Sequence, residues 1–251
     1  MSTDTHGLWV SLDTIKDYNA IQGWLDDYCQ AKGKEGWHNY GPADLRLYES
    51  DPVKIMLMGA ESLGYEKCLK VPSDAYIEWI RKREWTPRNG AVFVSTIRDY
   101  ISRLTQGSAT PEFDKAGFTD RYQNVDLLVK EMSGTIYMNA RITSNGTGTN
   151  REDKAQIACD LLEFAEYRRR FLEIMKPEIV ICAGASATDS LFGENGPFPR
   201  SALQKGNVFE IGNILFVITR HLSRFGGYKA MHEIGLQCAK MYVEKGRGVR
   251  P

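Results

Sequence analysis

Val53-Lys54-Ile55-Met56-Leu57-Met58-Gly59-Ala60-Glu61-Ser62-Leu63-Gly64-Tyr65 is the stretch whose reading decides the fold. Its first half is an apolar run short enough for one strand, with apolar residues on both faces, as in a strand covered from both sides. The run stops at Gly59, and a carboxylate (Glu61), a hydroxyl (Ser62) and a second glycine (Gly64) follow at once. In an open parallel sheet, ligands bind just beyond the carboxyl ends of strands. Glu61 therefore stands where such a fold places chemistry, between glycines that allow close approach. An ordinary strand-to-loop turn with a solvated Glu fits the same residues, and the stretch alone does not choose between the two.

Outward from this run, strands alternate with helices. Toward the amino end, residues 1–12 read as a loose arm. Asp13 is placed to cap a helix running to about Gln30, and Gly33–Asp44 is a Gly-rich loop. Downstream, Tyr76, Ile77, Trp79 and Ile80 mark a helix, Pro87–Gly90 a turn and Thr96–Leu104 a further short helix, followed by an irregular connection over 106–120. Gly134–Asn139 is a second buried strand, and Asn150 is placed to cap one long helix to about Met175. Glu178–Ala183 is a third strand, entering a helix through Gly184-Ala185-Ser186. Val208–Ile211 and Ile214–Thr219, separated by Gly212-Asn213, form a hairpin. A last helix spans Tyr228–Glu244, and a basic tail ends the chain. The expected architecture is one α/β domain over 1–251, a three-layer α/β/α arrangement around a central, mainly parallel four-stranded sheet.

Composition narrows the function classes. Lys+Arg and Asp+Glu are equal at 32 each, so the chain is not polybasic, although a local nucleic-acid groove remains compatible. No apolar run has the length of a membrane span, and the polar start does not read as a signal peptide. The five cysteines are scattered and include no CxxC pair, which predicts no disulfide framework, no zinc or iron–sulfur site, and a reducing, cytoplasmic compartment. No metal and no other cofactor is expected.

Four strand ends carry suggestive groups: Glu61, Asn139, the Gly184-Ala185-Ser186 turn, and His221. In a parallel sheet these ends share one edge, so residues distant in sequence meet in one cleft. Each has a plainer reading. Asn139 also fits a turn former, His221 a structural histidine, and Gly184–Ser186 a common strand-to-helix turn. Arg81–Arg83 and Arg168–Arg170 read as solvated helix faces. His6, His38 and His232 have no evident partner.

Taken in order, these pieces resemble the uracil-DNA glycosylase superfamily over most of residues 53–240. Gly59-Ala60-Glu61-Ser62 resembles the family's catalytic strand-end motif, in which the third position usually holds Asp or Asn. Gly90–Ser95 is similar to the segment that supplies a base-stacking Phe, here Phe93. Ile136-Tyr137-Met138-Asn139 resembles the strand ending in the Asn that reads the pyrimidine edge. Glu178–Leu191 is similar to the strand-Gly-helix unit before the last motif, and Thr219–Arg224 resembles the His-Pro-Ser motif with Leu222 in place of Pro. Leu63 and Gly64 stand where uracil-specific members place a Tyr that excludes 5-substituted pyrimidines.

The resemblance implies a monofunctional, metal-free glycosylase that binds DNA as a monomer and hydrolyses the N-glycosidic bond of a flipped-out uracil or modified pyrimidine. By the same resemblance Glu61 and His221 are catalytic. Asn139, Phe93, Leu63, Gly64 and Tyr65 hold the base. Ser62, Gly184, Ser186, Ser223 and Arg224 grip the DNA, and Phe225 wedges the vacated stack. The implied role is repair, or defence against foreign DNA carrying hypermodified pyrimidines. Two rivals fit the same residues: a DNA-binding module of this fold without catalysis, and a hydrolase of free nucleosides or nucleotides.

Overall fold

The computed structural model describes residues 11–34, 36–59, 70–71, 74–143, 154–194, 196–221 and 227–247. Seven strands lie among them: β1 (Trp37–His38), β2 (Ile55–Gly59), β3 (Lys70–Val71), β4 (Ile136–Asn139), β5 (Ile179–Ala183), β6 (Val208–Ile211) and β7 (Ile214–Thr219). The helices are α1 (Tyr18–Ala31), α2 (Leu45–Ser50), α3 (Ala75–Arg81), α4 (Trp85–Thr105), α5 (Lys115–Gln123), α6 (Val125–Ser133), α7 (Lys154–Glu163), α8 (Ala165–Met175), α9 (Ala185–Phe192) and α10 (Tyr228–Glu244).

The main sheet has the order β4-β2-β5-β7-β6. Its first four strands are mutually parallel, and β6 runs antiparallel to β7. The sheet thus has five strands rather than four, because the hairpin arm Val208–Ile211 pairs along the edge of β7. β1 and β3 form a separate parallel pair.

The strand period of two sorts the core into layers. Ile55, Leu57, Ile179, Ile181, Leu215 and Val217 face one side, against α3, α4, α6 and α10. Met56, Met58, Val180, Cys182 and Phe216 face the other, against α1, α8 and α9. Apolar residues on both faces of β2 and β5 therefore reflect helices on both faces of the sheet, as parallel strands require. The outer edge of β4 is covered by residues 36–43. There Gly41 and Tyr137 exchange backbone hydrogen bonds of 3.2 Å each, and His38 N donates to Ile142 O at 3.1 Å. Among the described residues, these bonds cover that edge of the sheet.

Several expected elements are corrected. Pro87–Gly90 is not a turn: one helix runs unbroken from Trp85 to Thr105, with Pro87 in its first turn, where a missing N–H costs nothing. Helix α1 is capped by Asp17, whose Oδ1 accepts from Ala20 N at 2.9 Å, while Asp13 lies in a preceding 3-10 turn. The helix expected to end at Met175 is two helices that meet at Phe164, and its expected cap, Asn150, lies outside the described residues. Helix α5 begins inside the segment 106–120 that read as an irregular connection, and α2 and α6 fill segments to which the sequence reading assigns no element. The beginning of the basic tail is anchored: Lys245 Nζ lies 2.8 Å from Glu210 Oε2 on β6, and Arg247 pairs with the same carboxylate. No described helix is long and apolar enough to cross a membrane.

Candidate active site at the carboxyl edge of the sheet

The carboxyl ends of β4, β2, β5 and β7 lie side by side. Asn139 pairs with Gly59, Met58 with Cys182, and Ala183 with Thr219. Adjacent strands are about 4.8 Å apart, so the ends of β2 and β7 are separated by about 10 Å and those of β4 and β7 by about 14 Å. Among the described residues, this edge brings together Asn139, Gly184, Ser186 and His221. Glu61, Ser62, Leu63, Gly64, Tyr65, Ser223, Arg224 and Phe225 lie outside the described residues. Their flanks are fixed: β2 delivers the chain to Gly59 two residues before Glu61, and β7 delivers it to His221, which is half-buried.

Asn139 is the best-defined member. It ends β4 at 1% exposure, and its Oδ1 accepts the Tyr137 hydroxyl at 2.7 Å. The amide lies over Gly59: a Cβ there would collide with Asn139 Oδ1 and come within 3.1 Å of the Tyr137 hydroxyl. The glycine at the end of β2 thus makes room for a side chain of the neighbouring strand. Asn139 Nδ2 is buried and has no hydrogen-bond partner among the described residues. Burial pushes the Tyr40 phenol up, and the Asn139 amide, within interaction range of its hydroxyl, works against that push. A buried donor left unpaired costs about 1–3 kcal/mol, which a ligand carbonyl would recover.

Behind this end of β4 lies a buried polar cluster. Asp160, at 3% exposure, accepts from Ile142 N at 3.2 Å, Thr143 N at 2.9 Å and Thr143 Oγ1 at 2.6 Å. Arg141 Nε stands 3.8 Å from the same carboxylate. Arg168 is not a solvated residue: it is 1% exposed and donates to Ala140 O at 3.3 Å and to Leu161 O. Burial lowers its guanidinium to about 10, against the pull of Asp160, and burial raises the Asp160 carboxyl. The peptide that follows Asn139 is therefore held from behind by charge-assisted bonds.

At β5 and β7 the edge turns to backbone donors. Gly184, with φ +108°, sits in a conformation that favours glycine and starts α9 with no side chain capping the helix. Gly227 starts α10 in the same way, with φ +92°. Two neighbouring strands are thus each followed by a helix whose cap residue is a glycine with no side chain to offer, an arrangement suited to anions such as phosphate. Ser186 is half-buried in the first turn of α9.

Phe93 departs from expectation. It lies inside α4 rather than on a loop before a helix, and it is fully buried in the layer that contains Ile55, Leu57 and Ile181. A Cβ placed at Gly235 on α10 would meet its ring at 3.6 Å. This packing accounts for Phe93 without any base stacked on it. His38 and His232 prove to have neighbours: His38 stacks on Tyr40, with ring centroids 5.5 Å apart, and His232 Nδ1 is 2.8 Å from the Tyr100 hydroxyl.

Sequence reasoning missed Tyr137 and Gly227. The signal for Tyr137 was present, since residues two apart on a strand share a face. That for Gly227 was a glycine directly before a helix. A cavity of about 500 Å³ between α2, α4 and α6 includes Val53, Arg98 and Gly134 in its wall. It opens at the amino ends of β2 and β4, opposite the edge where parallel sheets hold ligands.

No group of three or more His, Cys, Asp or Glu able to hold a metal occurs among the described residues. Fold and site together define a mixed α/β protein that gathers polar groups at the carboxyl edge of a mainly parallel sheet. Compared with known proteins, the chain matches no family model and has no significant match among curated sequences.

Proposed function

We propose that this protein is a DNA glycosylase that hydrolyses the N-glycosidic bond of a pyrimidine turned out of the DNA stack. The observation that carries the reading is Asn139: a buried amide at a strand end, given room by Gly59, with a donor that finds no partner among the described residues. It stands on the edge where β2 ends two residues before Glu61 and β7 two residues before His221. The order of the resembling segments and the uncapped starts of α9 and α10 support the same reading.

Cleavage builds positive charge on the deoxyribose and negative charge on the departing base. Fixed groups of opposite sign lower that barrier. In this reading Glu61 stabilises the sugar cation and orients water, and His221 donates a hydrogen bond to the pyrimidine O2. Asn139 bonds the Watson–Crick edge, and the amides at the starts of α9 and α10, with Ser186, hold phosphates. The substrate is a uracil or a 5-substituted pyrimidine, and the role is repair of deaminated bases or attack on modified foreign DNA.

The test is incubation with oligonucleotides bearing uracil, mismatched thymine, hydroxymethylcytosine or its glucosylated form, followed by alkali. Strand scission at one of these bases is expected, with loss of scission in Glu61→Gln and Asn139→Ala. Full scission by either variant would overturn the assignment. Binding that weakens with salt, without scission, would favour a binding module.

A further inference from the structure

We infer that the cavity between α2, α4 and α6 is a second ligand site, which takes a small amphipathic monocation: an apolar body carrying one protonated amine. The site is independent of the glycosylase reading, since it lies at the amino ends of β2 and β4, away from Asn139. At about 500 Å³ it has the size of a small-molecule site. Its wall is mainly apolar. Pro52 and Val53 lead into β2, Ile101 comes from α4 and Leu47 from α2. Leu47 is one of three large apolar side chains that stand exposed among the described residues. An apolar body seated in the cavity would cover it.

The polar part of the wall fixes the sign of the charge. Arg98 Nη2 lies 2.6 Å from Asp51 Oδ2, and its Nη1 lies 2.9 Å from Glu131 Oε2. All three side chains are mostly buried, and two carboxylates against one guanidinium leave one negative charge over. Lys130, the other charged residue of the wall, is exposed and makes no ion pair among the described residues. Water screens its ammonium, so it does not make up the deficit. The C-cap residues of all three helices, Asp51, Gln106 and Gly134, also stand in the wall. Helix carboxyl ends carry partial negative charge and add to the same sign. Arg98 answers part of it, donating to Glu131 O at 2.7 Å and to Gly134 O at 3.4 Å. The remainder is felt at Asp51. Burial holds its carboxyl above the ordinary value although Arg98 and the Val53 amide pull it down, and Glu131 and Glu178 push it up further. A ligand ammonium completes the balance, whereas a ligand carboxylate is repelled. Against a neutral ligand of the same shape, the charge-assisted hydrogen bond is worth roughly 10- to 100-fold in affinity.

The experiment titrates the full-length protein by calorimetry at neutral pH with tryptamine, tryptophol and indole-3-propionate. These probes end one indole-ethyl body in an ammonium, a hydroxyl and a carboxylate. Tryptamine is expected to bind saturably and about tenfold or more tighter than tryptophol, with indole-3-propionate weakest. Glu131→Gln removes the surplus charge and is expected to bring the affinities for tryptamine and tryptophol together. Because that ratio is internal to one preparation, partial loss of folded protein does not move it. Ser102→Trp locates the site: Ser102 is exposed on the α4 wall, where an indole fills the cavity without disturbing a buried group. It is expected to abolish binding of tryptamine. Equal affinity for the three probes, binding that survives Ser102→Trp, or no saturable binding of tryptamine by the wild type would each overturn the inference.

Discussion

Gly59 and Asn139 face each other in the register of β2 and β4, and the Asn139 amide fills the space that any side chain at position 59 would need. A small residue at a strand end here serves its neighbour's side chain rather than its own backbone. Gly59→Ala would press a methyl against the buried Asn139 Oδ1 and crowd the Tyr137 hydroxyl. Overpacking of this kind costs about 1–3 kcal/mol. For a chain of this size that lowers Tm by roughly 2–12 °C. If the protein acts as the glycosylase proposed above, base release falls further, by about a hundredfold, because an amide displaced by an ångström would no longer meet the base. Calorimetry and single-turnover scission check the two effects, and an alanine variant with wild-type values of both would show that the amide does not depend on this gap.

Asp160 carries a second prediction. Three hydrogen bonds converge on its carboxylate from Ile142 and Thr143, with Arg141 beside it and the Arg168 guanidinium feeling its charge. Asp160→Ala leaves two buried arginines without their carboxylate and should cost about 3–5 kcal/mol. Asp160→Asn retains acceptor capacity and should cost less. Urea unfolding orders the three proteins. An alanine variant as stable as the wild type would mean that the cluster does not fix the chain after Asn139.

The parallel strands were legible because short apolar runs with β-branched residues, each followed by a small or polar residue, have few other readings. Asn139 was legible for the same reason, as the polar residue that ends such a run. The helix over 85–105 was split in the reading because Pro87 and Gly90 are turn residues by local preference. Tertiary packing of Val92, Phe93 and Thr96 overrides that preference. Helix α5 was missed because, among its residues, Phe118 alone is buried, so no apolar periodicity marks it. Arg168 sits in a run of three arginines that local pattern assigns to solvent. Only the return of α8 past the end of β4 shows that its partners are backbone carbonyls.

The cysteines give a third, independent check of the core. Cys29, Cys182 and Cys238 are buried and unpaired, and burial pushes the thiols of Cys29 and Cys238 to about 12. Cys182 is pushed higher still, whereas Cys159 is exposed on α7. Thiolate is the reactive form, so native protein treated with iodoacetamide at neutral pH should be alkylated at Cys159 and spared at these three. Peptide mass spectrometry reads the pattern. Rapid alkylation of Cys182 in the native state would contradict a three-layer core closed around β5.

The last prediction concerns acid. His38 is 3% exposed beside the Tyr40 ring, and burial lowers its imidazole from 6.5 to about 4. Between those values the unfolded chain binds a proton at this position and the folded chain does not. Stability therefore rises with pH across the window and is lost as pH falls from about 6.5 to about 4. The shift corresponds to at most about 3 kcal/mol. Asp51 and Asp160, both held above 3.8 by burial, act in the opposite sense, since their folded forms favour the proton and lose that advantage as pH rises. The His38 contribution is therefore read as a difference. Urea midpoints of the wild type and His38→Gln, measured from pH 7.5 to 4, should show the wild type losing more stability on acidification. Parallel curves would mean that His38 takes up its proton in the folded state as readily as in the unfolded chain.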